Sequence, residues 1–205
     1  MSTMTEVAGS QSVSNYFDPS EEKSRSKLAR GVYPAHIIKC PEPKTVEFKG
    51  YKALIYNYVI KVDNAVTRYN FQVEDIDGVL KDVNSADYIG REIKSKGVFF
   101  FLNPEVGDSF KANPGGNRGF MEAVEAIGVD CPEMEIEVDG EKRMVKTLPN
   151  LSPSDFVGAP VLATVDLGKP WTGTDGVERQ SFEVKKINKW EEGTKIDVEL
   201  EDLPF

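Results

Sequence analysis

The residues able to do chemistry are few and unevenly spread. There is one histidine, His36, and there are two cysteines, Cys40 and Cys131, with no Cys-x-x-Cys pair. A structural zinc site needs about four closely spaced cysteine or histidine ligands, so none is expected. The two cysteines read as ordinary reduced thiols. The chain has no Gly-x-x-x-x-Gly-Lys phosphate loop and no nucleophile elbow, and a lone histidine restricts the usual acid–base and nucleophilic arrangements. Carboxylates are plentiful, 34 Asp and Glu in all, so a carboxylate–metal nuclease stays open on composition alone. The expectation is a protein that is not an enzyme and uses no cofactor or metal.

The C-terminal residues carry a different chemistry. Residues 191–205 hold six acids against Lys195 and finish in Glu201-Asp202-Leu203-Pro204-Phe205. Phe205 offers a large apolar anchor, and a terminal carboxylate beside it can pair with a lysine or arginine on a receptor. Pro204 limits the conformations lost on binding, and the upstream acids steer the segment towards basic pockets. Glu201 to Phe205 therefore read as a partner-docking peptide on an acidic disordered tail, 191–205.

A third group of residues suits a nucleic-acid strand. Sequence-independent binding of a single strand needs cations along the backbone and exposed aromatic faces, each stacked base being worth ~1–3 kcal/mol. Trp171 beside Lys169 in a glycine-rich loop is the leading stacker, with Tyr56, Tyr58, Tyr69 and Phe71 as further candidates. Candidate cations are Arg68, Lys44, Lys49, Lys52, Lys61 and Lys185, with Lys39 and Lys186 nearby. Aromatics within strands are more often core than platform, and Tyr56 and Tyr58 share a face with Leu54, Ile60 and Val62, which favours core.

The elements that must position these residues are mostly strands. Residues 1–27 are rich in Ser, Thr, Glu and Gln and read as disordered, with Tyr16 and Phe17 isolated there. Strands are expected at 31–40, 52–62, 66–73, 98–102, 160–167 and 182–190, with loops at 41–49, 104–116 and 168–176. A helix is expected at 86–96, opened by Asn84 or Ser85, and a second at 117–127, closed by Gly128. Residues 134–147 read as an acidic hairpin turning at Asp139-Gly140, and 152–158 as a one-turn helix. Phe99, Phe100 and Phe101 cannot all face one side of a strand, so one packs outward or lies under a helix. The whole is mainly β: an OB-fold-like five-stranded barrel with one or two helices and an extra hairpin over 28–190, flanked by disordered termini.

The net charge of −9 argues against nucleic acid if taken whole. Its distribution softens that argument. Residues 191–205 carry −5 and residues 130–146 carry −3, which leaves the rest of the body close to neutral. No apolar run approaches the ~20 residues of a membrane span, and the N-terminus lacks a signal pattern, so a soluble cytoplasmic protein without membrane partners is expected.

The acidic residues leading into Leu203-Pro204-Phe205 resemble the C-terminal tip of bacterial single-stranded DNA-binding proteins, where isoleucine is usual at the Leu203 position. The body differs from the usual bacterial domain. Gly31-Val-Tyr-Pro-Ala-His-Ile-Ile, the stretch from Arg118 to Gly128 and Ser154-Asp-Phe-Val-Gly158 are similar to a phage-encoded family of such proteins. The resemblance implies an OB-fold that binds and protects single-stranded DNA in phage replication, recombination or repair. It also implies a tip that recruits replication and recombination proteins in a bacterial host. The sequence is compatible with a homo-oligomer. The alternative is an interaction or annealing-accessory protein that uses the tail and binds no DNA.

Overall fold

Strand β1 (Gly31–Lys39) is the centre of the molecule. Tyr33, Ala35 and Ile37 are fully buried on its inner face. The structure is a computed structural model, and it describes residues 28–48, 51–74, 77–102, 116–138 and 140–198. The expected N-terminal disordered segment with Tyr16 and Phe17, most of the 104–116 loop, Lys49, Asp139 and the Glu201–Phe205 tip lie outside the described residues.

After β1, the stretch expected as a loop forms β2 (Lys44–Phe48), which makes a hairpin with β3 (Tyr51–Tyr56). The long strand expected over 52–62 is two strands, because its halves pair with different partners. β3 joins β2 and β8 (Val98–Phe101), whereas β4 (Val59–Val62) joins β1 and β7 (Glu92–Lys94). Asn57 and Tyr58 form the break.

The expected strand at 66–73 is also shortened. The Asp63 carboxylate accepts the Ala65 N–H at 2.9 Å and starts a 3-10 turn, Asn64–Arg68. Strand geometry resumes only at β5 (Phe71–Glu74), which pairs with β6 (Leu80–Val83). No helix forms at 86–96. Asn84 does cap a turn, Ser85–Tyr88, but Gly90 at φ +74° ends it, and Ile93 enters the core from the middle of β7.

Helix α1 (Arg118–Ala126) buries Phe120, Ala123 and Val124. It ends as its glycine dictates. Gly128 sits at φ +83°, its N–H donates to the Glu125 carbonyl, and the Val129 N–H donates to that of Val124, which completes a Schellman motif. The acidic hairpin follows as β9 (Glu133–Val138) and β10 (Glu141–Lys146), with Gly140 at φ +80°. Helix α2 (Pro153–Phe156) is the one-turn helix, its Asp155 carboxylate accepting the Ser152 N–H at 2.7 Å. The last strands are β11 (Pro160–Leu167), a short hairpin of β12 (Trp171–Thr172) and β13 (Glu178–Arg179), and β14 (Phe182–Lys189).

The protein is thus mainly β with two helices among the described residues, and with several hairpins where one extra was expected. The main sheet has the order β14-β11-β1-β4-β7, each neighbouring pair antiparallel. Its two outer strands also meet. Ser95, just after β7, forms a parallel bridge with Val184 of β14, and the Lys96 N–H donates to the Val184 carbonyl at 3.1 Å.

Aromatic rings dominate the core. Tyr33 stacks on Phe71 at 4.5 Å and meets the edge of Tyr88 at 5.6 Å. Phe156 lies 5.5 Å from Tyr56 and 6.1 Å from Tyr58. Of the three consecutive phenylalanines, Phe100 stacks on Phe120 of α1 at 4.5 Å, while Phe99 and Phe101 stack together on the other face of β8. Phe120 also lies 5.6 Å from Tyr56 and so ties the helix to the β2-β3-β8 sheet. We expect Phe120→Ala to cost about 3–5 kcal/mol in urea unfolding. A loss under about 1 kcal/mol would contradict this packing.

Candidate nucleic-acid interface

The outer face of β1, β4 and β7 gathers cations by strand register. Lys39 lies opposite Val59 of β4, which lies opposite Lys94 of β7. One row away, His36, Lys61 and Glu92 are aligned in the same order. Inward-pointing Ile60, Val62 and Ile93 are buried, so Val59, Lys61 and Lys94 point outward. Lys39 and Lys94 stand two strand spacings apart, about 10 Å. Among the described residues, no ion pair engages Lys39, Lys61 or Lys94, so their charge is available to a ligand.

Two hairpins flank this face at the ends of β1. The β2–β3 hairpin carries exposed Lys44 and Lys52, with Lys52 opposite Glu47. At the other end, the expected glycine-rich loop is the start of the β12–β13 hairpin. Trp171 is paired there with Arg179 and is 52% exposed. The Arg179 guanidinium sits 5.6 Å from the indole centre and grips the Asp175 carboxylate across the turn, which holds that carboxyl below its usual range. The indole is therefore steadied on one side by a cation–π contact while remaining largely open to solvent. Lys169 is exposed two residues before it.

Several expected site residues are engaged elsewhere. Tyr56, Tyr58 and Phe71 are only 2%, 3% and 4% exposed, with their ring faces filled by Phe156, Phe120 and Tyr33. They are core, and no base can reach them. Tyr69 is half-buried against the same core. Arg68 pairs with Glu192 at 2.7 Å, and Lys185 pairs with Glu183 at 2.6 Å. Lys94 was hidden by reading 86–96 as a helix; the alternation Glu92-Ile93-Lys94 was the available signal. Arg179 is likewise new, and only the turn between it and Trp171 hinted at the pairing.

Residues 191–198, expected in the disordered tail, run as a strap over the outer face of β1. His36 Nε2 lies 3.0 Å from the Thr194 carbonyl, and Nδ1 lies 3.3 Å from Asp63. The Trp190 ring centre stands 5.6 Å from the imidazole. The Ile196 N–H donates to the Gly158 carbonyl at 3.0 Å. A Cβ on Gly158 would meet the Ile196 carbonyl oxygen at 2.1 Å, and Gly158 has φ +82°, so only glycine fits. The strap covers His36, and its residues Lys195 to Val198 go on to line a cleft with half-buried Lys39 and Val59, so exposed Lys61 and Lys94 are the open part of the face.

Among the described residues no cluster of three His, Cys, Asp or Glu is arranged to hold a metal ion, and no helix is long and apolar enough to cross a membrane. Burial pushes the Cys40 thiol up to about 12, helped by Glu42, and raises that of Cys131 in the same way. At pH 7 both are therefore protonated and poor nucleophiles. We expect maleimide to label neither thiol quickly in the folded protein and both in denaturant; rapid labelling of either in the native state would contradict the burial.

Comparison with protein-family models, curated proteins and solved structures found no match to this chain.

Proposed function

We propose that this chain binds single-stranded DNA without catalysing a reaction, through an OB-type barrel, and docks partner proteins through its C-terminal residues. The observation that carries the reading is the pair of exposed, unpaired lysines Lys61 and Lys94, with half-buried Lys39 and Val59 beside them, on one sheet face.

The strand order supports the barrel. The five strands of the main sheet follow one another in the chain as β1, β4, β7, β11 and β14, and the Ser95–Val184 bridge joins the sheet's two outer strands. Helix α1 lies in the connection between the third and fourth of them. OB-folds bind oligonucleotides on the face of their second and third strands and on the loops joining strands one to two and four to five. Here these are β4 and β7, the β2–β3 hairpin with Lys44 and Lys52, and the β12–β13 hairpin with Trp171. Lysines along a strand face and one open indole suit a ligand read by phosphate charge and base stacking, with little sequence preference.

The tail half of the proposal rests on the chemistry of Glu201, Asp202, Leu203, Pro204 and Phe205. The setting, phage DNA replication, recombination or repair in a bacterial cytoplasm, rests on the family likeness alone. A second reading, an interaction or annealing-accessory protein that uses the tail without holding DNA, is favoured by the net charge of −9 and by the pairing of Arg68 and Lys185.

Fluorescence titration with oligo(dT) and with duplex DNA at two salt concentrations separates the two. The proposal expects binding to the single strand that weakens with salt. Trp171→Ala is expected to lower affinity about 5- to 150-fold, the value of one stacked base. Replacing Lys39, Lys61 and Lys94 by Gln is expected to flatten the salt slope by about 2, at ~0.7 per phosphate contact. No binding by the wild-type protein would leave the accessory reading. Deleting Leu203 to Phe205 is expected to spare DNA binding and to abolish capture of partner proteins; a collapse in DNA affinity would contradict this division of roles.

A further inference from the structure

The β12–β13 hairpin stands clear of the body and is shaped by its own hydrogen bonds. From Lys169 to Ser181 every residue except Gly173 is exposed, and none joins the core. Its base is closed by the Gly168 N–H donating to the Ser181 carbonyl and by the Gln180 amide donating to the Gly168 carbonyl, each at 2.7 Å. At its tip the Gly173 N–H donates to the Val177 carbonyl at 2.9 Å, and the Gly176 N–H to the Gly173 carbonyl at 3.0 Å. The Val177 N–H donates to the Asp175 carboxylate at 3.2 Å.

Trp171 pairs with Arg179 and Thr172 with Glu178, so alternation places Trp171, Gly173, Val177 and Arg179 on one face of the hairpin. Gly173 leaves a slot on that face. The Arg179 guanidinium lies in it, and a Cβ on Gly173 would collide with Nη1 and crowd the Asp175 carboxylate. Nη1 and Nη2 each donate to one Asp175 oxygen, a two-pronged contact that fixes the guanidinium beside the indole, 5.6 Å from its centre. An exposed ion pair of this kind contributes little to overall stability. The hairpin carries none of the core, so the effect of the pair falls on Trp171.

We infer that Arg179 is a positioning residue for Trp171, fixed by Asp175 and admitted by Gly173. It closes one face of the indole and presents the other, so the hairpin stacks a single base. The inference rests on the single-strand reading above and deepens it: an indole already ordered before the strand arrives loses less freedom on binding, which tightens the complex. Arg179 is engaged by Asp175, so it adds no phosphate contact of its own.

The chain has two tryptophans, so Trp190→Phe makes Trp171 the only one, and the full chain with that change is the parent protein. Gly173→Ala, Arg179→Gln and Asp175→Asn are compared with it. Gly173 is not among the glycines with positive φ, so alanine fits its backbone, keeps every charge and displaces the guanidinium. All three residues lie outside the core, so urea unfolding is expected to be unchanged. Time-resolved fluorescence anisotropy of the free protein is expected to show a more mobile indole in each variant. Affinity for oligo(dT) is expected to fall about two- to tenfold, the scale of ordering one side chain on binding, with the salt slope of the parent kept. An indole as still as the parent's in Gly173→Ala and Arg179→Gln overturns the inference, and so does unchanged affinity where the indole has loosened. A salt slope flatter by about 0.7 in Arg179→Gln overturns it too, because Arg179 is then a phosphate contact. Tighter binding by Asp175→Asn does the same, because the carboxylate then only repels the strand. If neither the wild type nor the parent binds oligo(dT), the single-strand reading itself fails and this inference falls with it.

Discussion

Strand β1 is hydrogen-bonded along both edges and buried from Tyr33 to Ile37 on both faces, and much of the chain is arranged to satisfy it. β11 and β4 saturate its backbone. Tyr33, Ala35 and Ile37 anchor the inner core, where the Tyr33 hydroxyl donates to the Ala29 carbonyl at 2.7 Å. On the outer side, the strap from Trp190 to Ile196 covers His36. The imidazole bridges Asp63 and Thr194, so it ties the end of β4 to the strap through β1. This arrangement decides what remains open. With the strap over His36 and beside Lys39 and Val59, the free outer face shifts towards Lys61 and Lys94.

The same logic reconciles an acidic chain with an anionic ligand. About half of the cations among the described residues are spent on local carboxylates, for example Arg30 on Asp166, Arg68 on Glu192, Lys146 on Glu125 and Arg179 on Asp175. Exposed pairs of this kind contribute little stability, commonly under ~1 kcal/mol. Their consequence is electrostatic: they cancel field where they stand and leave the unpaired lysines, Lys61 and Lys94 among them, to define where a phosphate chain is attracted. The acidic β9–β10 hairpin pairs its own Lys142 and Arg143 with Glu135 and Glu141, and so adds no cation to the face.

Local signals were legible wherever a short stretch decides its own conformation. The bounds of β11, the end of α1 at Gly128, the single turn at Pro153–Phe156 and the acidic hairpin were all readable. What failed depends on pairing partners far away. The apolar run over 52–62 looks like one strand, and nothing in it says that its first half follows β8 and its second half β1. The stretch 86–96 has enough helix formers to look helical, but Ile93 is drawn into the core as a strand residue. The aromatic candidates were ambiguous for the same reason: Tyr56, Tyr58 and Phe71 are platforms or core depending only on which face the tertiary fold covers. Trp171 was readable because glycine and proline neighbours make burial hard. Lys94 was not, because its place beside Val59 and Lys39 exists only once the register of three strands is set.

The central claim is that a single strand lies across β4 and β7. NMR titration of isotope-labelled protein with a short oligo(dT) tests it most directly. The account expects the largest amide shifts at Val59, Lys61 and Glu92 to Lys94, together with the Trp171 indole N–H, and small shifts in the β9–β10 hairpin. Shifts confined to that hairpin or to the strap, with β4 and β7 unmoved, would contradict it.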